Sequence, residues 1–271
     1  MPASLIEIPM SIDDFRVMPH RLGWKHEYWD GMARLSPSHG AVAKFELRFN
    51  QTPPASSTSK STYDIRGVGD VDRESLVQLH INAFDDSIEF AGYSDAAFEK
   101  EQRRSMSAFF APENSTRRRR GLAKHSFAVV DGNDSVAAIF IRETPDGLAV
   151  EPILVHPRYH RKGLASALFW QSCRALASEG VKVLRSSCHL GNHASMKWHL
   201  AMGFRETPNV TAASARANHH HWMARHHRFQ GRLNEAESQT KLARSWDQKY
   251  ESWQEAWIAE IEQSRSEAKN Q

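Results

Sequence analysis

The chain has 271 residues, 40% of them apolar, and a formal net charge of +3. That length suits one domain with extensions or two small ones, and the apolar share suffices for a core. The small charge gives no argument for nucleic acid, and no apolar run reaches the ~20 residues of a membrane span. The two cysteines, Cys173 and Cys188, lack metal-ligand spacing and read as reduced thiols, and no secretory signal opens the chain. A cytoplasmic location without a membrane partner is expected.

Residues 1–20 carry little pattern. His26 to Trp29, Asp30-Gly31 and Met32 to Ser36 read as a hairpin, because both turn positions accept positive φ. Ala41 to Phe49 alternates in polarity and predicts a third strand of the same small antiparallel sheet. The Pro, Ser and Thr of 51–62 predict a linker. Tyr63 to Val68 reads as a strand. Asp70 or Asp72 can then cap a helix bearing Leu76, Leu79, His80, Ala83 and Phe84 on one side. A loop with Asp86, Glu89, Phe90 and Tyr93 leads to a second helix, Asp95 to Phe110. Arg117 to Arg120 form a basic run that reads as a solvated loop or as an anion-attracting patch. Strands follow at His125 to Val130 and Ser135 to Ile141, joined by an Asp-Gly-Asn-Asp turn, and then at Ala149 to Val155. Past residue 208 the pattern predicts a last strand within His219 to Phe229. Leu233 to Ser266 predicts a long amphipathic helix with a stripe of Leu242, Trp246, Tyr250, Trp253, Trp257 and Ile261. Residues 230–271 hold 6 basic and 8 acidic side chains, so this helix is neither a membrane-surface nor a nucleic-acid element. It is expected either to lie across the domain or to make a homodimer seam.

The most informative stretch begins at Val155-His156-Pro157. After this strand end come Arg158 to Lys162, then Gly163, then a helix carrying Leu164, Leu168 and Leu176 and stopped by Gly180. A strand, a basic loop and a helix N-terminus make an anion site, since the free N–H groups of a first turn point outward along a favourable dipole. Gly163, lacking Cβ, allows a phosphate close to the backbone.

The loop His160-Arg161-Lys162-Gly163-Leu164-Ala165 resembles the pyrophosphate-binding signature of the GNAT N-acetyltransferase superfamily, Gln/Arg-x-x-Gly-x-Gly/Ala. After a strand at Val181 to Ser187, Asn192-x-x-Ser195-x-x-x-His199-x-x-x-Gly203-Phe204 resembles the second signature of that family. The resemblance covers about residues 63 to 227. It implies an α/β fold with a mixed sheet, here with an N-terminal β extension (1–50), a linker (51–62), an acetyltransferase domain (63–229) and a C-terminal amphipathic helix (230–271). It also implies acetyl-CoA as co-substrate, no metal, and an amine acceptor, a small molecule rather than a protein. By the resemblance, Val155, His160, Arg161, Lys162, Gly163, Leu164, Ala165 and Asn192 bind the coenzyme. His199 stands where relatives carry Tyr or His and becomes the general-acid candidate. Glu151, four residues before Val155 and so on the same face by strand alternation, is the base candidate. Asp86, Glu89, Phe90 and Tyr93 become the acceptor-site candidates. His160, where Gln or Arg is usual, is the departure, and it is tolerable because the site works through main-chain N–H groups. A coenzyme-binding regulatory module without turnover is the alternative. The histidines at 219, 220, 221, 226 and 227 show no ligand spacing for a metal.

Overall fold

The structure is a computed structural model and describes residues 5–49, 63–85, 87–90, 92–111 and 120–269, with the side chains of 120, 264 and 266–269 left aside. The expected linker, Asp86 and Arg117 to Arg119 lie outside the described residues. Contacts divide the chain into two compact units. One comprises Phe45–Ser187 with Ala194–Arg205, and the other Leu5–Lys44, Cys188–His193 and Glu206–Gln271.

The first unit is built on a mixed sheet. Its strands are β4 (Val42–Arg48, from Phe45 onward), β5 (Asp64–Gly67), β6 (Arg120–Gly121), β7 (Phe127–Asp131), β8 (Asp134–Thr144), β9 (Gly147–Val155), β10 (Val183–His189, as far as Ser187) and Arg205 of β11 (Arg205–Glu206). The order is β11-β4-β10-β9-β8-β7-β5, with β6 beside β8. The pairs β5–β7, β7–β8 and β8–β9 are antiparallel, the last two closing through short turns, whereas β9–β10 is parallel. Parallel neighbours need a crossover, and helix α4 (Leu164–Ser178) supplies it. Helices α2 (Arg73–Phe84) and α3 (Asp95–Phe109) start where side-chain caps predict. Asp72 Oδ2 accepts the Ser75 N–H at 2.8 Å, and Ser94 Oγ accepts the Ala97 N–H at 3.3 Å. Leu76, Leu79, Met106 and Phe109 from these helices pack on Ala138, Phe140 and Leu154 of the sheet. Helix α5 (His193–Ala201) follows β10.

The second unit contains β1 (Ile6–Pro9), α1 (Ile12–Val17), β2 (Trp24–Trp29) and β3 (Met32–Pro37), the strands forming an antiparallel sheet in the order β1-β3-β2. The Asp30-Gly31 hairpin is as expected, with φ of 53° and 73°. Two expectations fail here. The third strand of this sheet is β1, hidden in the featureless N-terminus, while the alternating segment at 42–48 joins the larger sheet. A strand's alternation records that one of its faces is buried and says nothing about which neighbour it pairs with. The predicted strand at His219 to Phe229 is a helix, α6 (Val210–Phe229). Asn209 caps it, its Oδ1 accepting the N–H groups of Thr211 and Ala212. Its apolar side is made of alanines (Ala212, Ala213, Ala217 and Ala224), all buried. Small residues that permit close helix packing leave a weak hydrophobic period, and a short polar alternation then imitates a strand. Gly231, at φ 71°, turns the chain into α7 (Leu233–Lys269), which packs along α6. Arg216 on α6 pairs with Glu206 and lies 4.4 Å above the Trp246 ring of α7. The buried α7 residues include Ala236 and Ala243, whereas Leu242 and Trp257 of the expected stripe are exposed.

Candidate active site

The loop between β9 and α4 is held at several points. His156 N–H donates to Val136 O at 2.9 Å, and its ring Nδ1 accepts the Arg158 N–H. Residues Pro157–Tyr159 make one 3-10 turn. The Tyr159 hydroxyl donates to Asp131 Oδ2 at 2.6 Å, and Lys162 lies 4.3 Å above the Tyr159 ring. His160 folds back so that its Nε2–H donates to Val155 O at 3.0 Å. Arg161 and Gly163 are both left-handed, at φ 61° and 78°. Left-handed residues at alternate positions turn successive N–H groups toward one side, the arrangement that cradles anions. The first intrahelical bond runs from Ala167 N–H to Gly163 O, so the amides of Leu164 to Ser166 lie ahead of the helix ladder. A Cβ built on Gly163 meets no atom within 4 Å, so the space over the cradle is open.

Next to this cradle the sheet parts. Ala149 pairs with Arg185 and Val150 with Ser186, and among the described residues the β9–β10 register goes no further. On the other side of β9, Ile139 faces Ile153 while Ile141 faces Val150. One extra residue therefore stands in β9 at Glu151–Pro152, a bulge. The stretch from Glu151 to Val155 thus leaves β10 and leads toward the cradle.

His199 lies against the vertex of this opening. It is 2% exposed, stacked on Phe45 at 4.5 Å and 13°, and flanked by the rings of Trp198 and Phe204. Nδ1 is 2.7 Å from Ser195 O and Nε2 is 2.8 Å from Ser186 Oγ. Burial pushes the imidazole below its ordinary pKa, and the bond to the Ser195 carbonyl only partly opposes this.

Residues 90–204 match the model of the acetyltransferase (GNAT) family. Those 115 residues are thus similar to a GNAT acetyltransferase domain. Solved structures similar to it include a GCN5-related N-acetyltransferase from Sphaerobacter thermophilus, at 13% identity and a TM-score of 0.45 over 61% of this chain and 48% of that one. The chain thus spans about half the length of that protein. The ribosomal-protein-S18-alanine N-acetyltransferase of Escherichia coli is 20% identical, with a TM-score of 0.38 over 54% of this chain and 79% of that one. An aminoglycoside 6′-N-acetyltransferase from Acinetobacter haemolyticus is 19% identical, with a TM-score of 0.38 over 54% and 93%. No curated protein matches. Among the described residues no helix is long and apolar enough to cross a membrane.

Glu151 is half-buried, and its carbonyl accepts Arg142 Nε–H at 2.9 Å. The bulge falls between Glu151 and Val155, so simple alternation no longer relates their faces. Phe90 sits among Phe84, Tyr93 and Phe98, with ring centroids 5.2 to 5.8 Å away. The Ser87 hydroxyl bonds the Glu89 carboxylate. Glu89, Phe90 and Tyr93 are therefore gathered in one short segment, with Tyr93 the exposed member. Asn192 belongs to the second unit, where its N–H donates to His189 O at 2.9 Å just before α5.

Two polar residues of the first unit escaped the sequence reading. Arg142, 5% exposed, reaches from β8 to the carbonyls of Glu151 and Ser105 and lies 5.1 Å from the Phe109 ring centroid. Its position at the end of an apolar strand was the available signal. Ser186 left no signal beyond being a hydroxyl in an apolar strand. The later histidines have polar partners within the second unit. His219 lies 3.1 Å from His20, nitrogen to nitrogen, while His220 bonds Gln239 and His221 bonds Asp247. Among the described residues no group of three His, Cys, Asp or Glu side chains is placed to hold a metal ion.

Proposed function

We propose that the GNAT domain transfers an acetyl group from acetyl-CoA to a primary amine, by direct attack in a ternary complex. The observation that carries this reading is the cradle at Arg161 to Ser166 opening onto the parted strands β9 and β10. An anion site beside a slot between strands suits a pyrophosphate with a long amide-bearing arm. The amides from His160 to Ala165 hold the pyrophosphate, with Arg161 and Lys162 adding charge. The main chain of Val155 lines the arm. Its carbonyl already accepts His160 Nε2–H, so using that carbonyl for the arm requires the ring to swing away. Glu151 at the bulge is the base candidate, taking a proton from the incoming ammonium, directly or through water, before the neutral amine attacks. His199 handles the proton of the departing sulfur. Glu89, with Asp86, attracts a cationic amine, and Phe90 and Tyr93 pack its carbon frame, which favours a small-molecule acceptor.

Titration calorimetry with acetyl-CoA and desulfo-CoA, followed by thiol release across a panel of amines, tests the reading. Micromolar binding and amine-dependent thiol release are expected. Binding without release from any amine points to a regulatory module, and absence of binding removes the coenzyme site altogether.

A further inference from the structure

The hydrogen bonds around His199 decide its protonation pattern. A carbonyl oxygen carries no hydrogen, so the 2.7 Å contact with Ser195 O requires the proton of the neutral ring to be on Nδ1. Nε2 is then a bare acceptor, and the Ser186 hydroxyl donates to it at 2.8 Å. A neutral His199 in this tautomer has no proton to give to a departing sulfur. It can accept one, and only through Ser186, because aromatic rings close its other sides. Ser186 is the last β10 residue in register with β9, opposite Val150 and thus at the vertex of the opening. Its remaining contact is a long one, 3.4 Å to Val150 O. It is 7% exposed against 2% for His199, and it alone of the two stands on a strand bordering the opening.

We infer that Ser186 and His199 form a two-residue proton relay serving both halves of the transfer, with Ser186 as the group that meets the reacting atoms. This rests on the amine-acetylation reading above. The amine nitrogen bonds to the thioester carbonyl carbon, giving a tetrahedral intermediate with a positively charged nitrogen. One N–H proton passes to Ser186 Oγ while the hydroxyl proton passes to His199 Nε2. The C–S bond breaks, and the proton returns from Nε2 through Ser186 to the thiolate. The amine has lost one proton, the sulfur has gained one, and both residues end as they began. Ser186 is the catalytic residue. His199 acts through it, held in the required tautomer by Ser195. Among the described residues, the hydrogen-bond and ring partners of His199 are Phe45 of β4, Ser186 of β10, Ser195 and Trp198 of α5, and Phe204. None of them is charged, so a change in pH dependence on altering Ser186 reports on the relay itself.

Three measurements test this. In the free protein, ¹⁵N-detected NMR of the His199 ring should show the proton on Nδ1, and Ser186→Ala should shift Nε2. A ring protonated on Nε2 overturns the relay. In turnover, Ser186→Ala should lower kcat by roughly 100-fold and change the pH profile, with acetyl-CoA affinity within about twofold of wild type. Ser186→Thr, which keeps the hydroxyl and suits a strand, should recover most of the rate. A thermal melt identifies a variant that fails to fold, and the tautomer measurement on the wild-type protein stands apart from folding. Wild-type kcat and pH profile in Ser186→Ala overturn the relay and leave amine acetylation standing. Absence of acetyl-CoA binding to the wild-type protein overturns both.

Discussion

Gly163 shows how much one residue position can carry. Its φ of 78° is open to glycine and strained for other residues, yet the space around it is empty. Gly163→Ala therefore meets backbone strain without a clash and should lose about 1 kcal/mol of unfolding free energy. Gly163→Glu adds a carboxylate to the proposed anion cradle and should abolish acetyl-CoA binding in calorimetry. Unchanged affinity in that variant would remove the loop from the coenzyme site. The loop was legible because its chemistry lies within six consecutive residues, where spacing alone orders the backbone. His199 was legible as a position, but its hydrogen-bond partners were not. The Ser195 carbonyl, four residues earlier on the same helix, holds the proton on Nδ1, and Nε2 then faces the Ser186 hydroxyl, 13 residues earlier on another element.

At the scale of elements, the helices of the first unit begin where their caps stand, since a cap acts on an N–H only two or three residues away. Helix α6 defeated the same approach. Asn209 is a good cap, but the alanines behind it gave little hydrophobic period. Asn209→Ala removes the bonds to Thr211 and Ala212 N–H and leaves Val42 O, now bonded by Asn209 Nδ2 at 2.8 Å, without that donor. A loss of about 1 to 2 kcal/mol is expected in urea denaturation. A loss of only a few tenths would mean that packing against α7 alone holds the start of α6. Helix α7 was legible in extent. Its burial pattern was not, because small residues (Ala236 and Ala243) turn inward against α6 while Trp257 stays exposed.

At the scale of the molecule, each unit holds histidines that the fold keeps neutral. In the first, burial and then the charge of Arg142 lower the His80 pKa to about 3. In the second, burial is the largest cause for His20, lowered to about 3, and for His26 and His219, each lowered to about 4. Neighbouring histidines add to the effect for His20 and His219, and Arg21 adds to it for His26. A histidine with a folded pKa below the unfolded value of 6.5 takes up its proton more readily when unfolded. The stability it lends is complete above pH 6.5 and is lost as pH falls toward the folded pKa. For buried His80 the loss between pH 6.5 and 5 is about 2 kcal/mol. The half-buried rings of the second unit lose less, because solvent screens them. Urea midpoints should therefore fall between pH 7 and pH 5, and His80→Leu should flatten the fall in the transition of the first unit. Equal midpoints at both pH values would show that these rings are not held neutral.

Local order was determined by the sequence itself. Caps, the Asp30-Gly31 hairpin, the turn at Gly163 and the two spaced signatures each act over a few residues, and both signatures fall within the stretch that matches the GNAT family model. Partner choice was decided by tertiary structure alone. That β1 completes the small sheet, that β4 enters the large one, that β9 bulges at Glu151 and leaves β10 after Val150, and that Ser186 meets His199 all depend on segments far apart in the chain. Such pairings are set by competition for buried surface and for backbone hydrogen bonds across the whole chain, which no short window of sequence records.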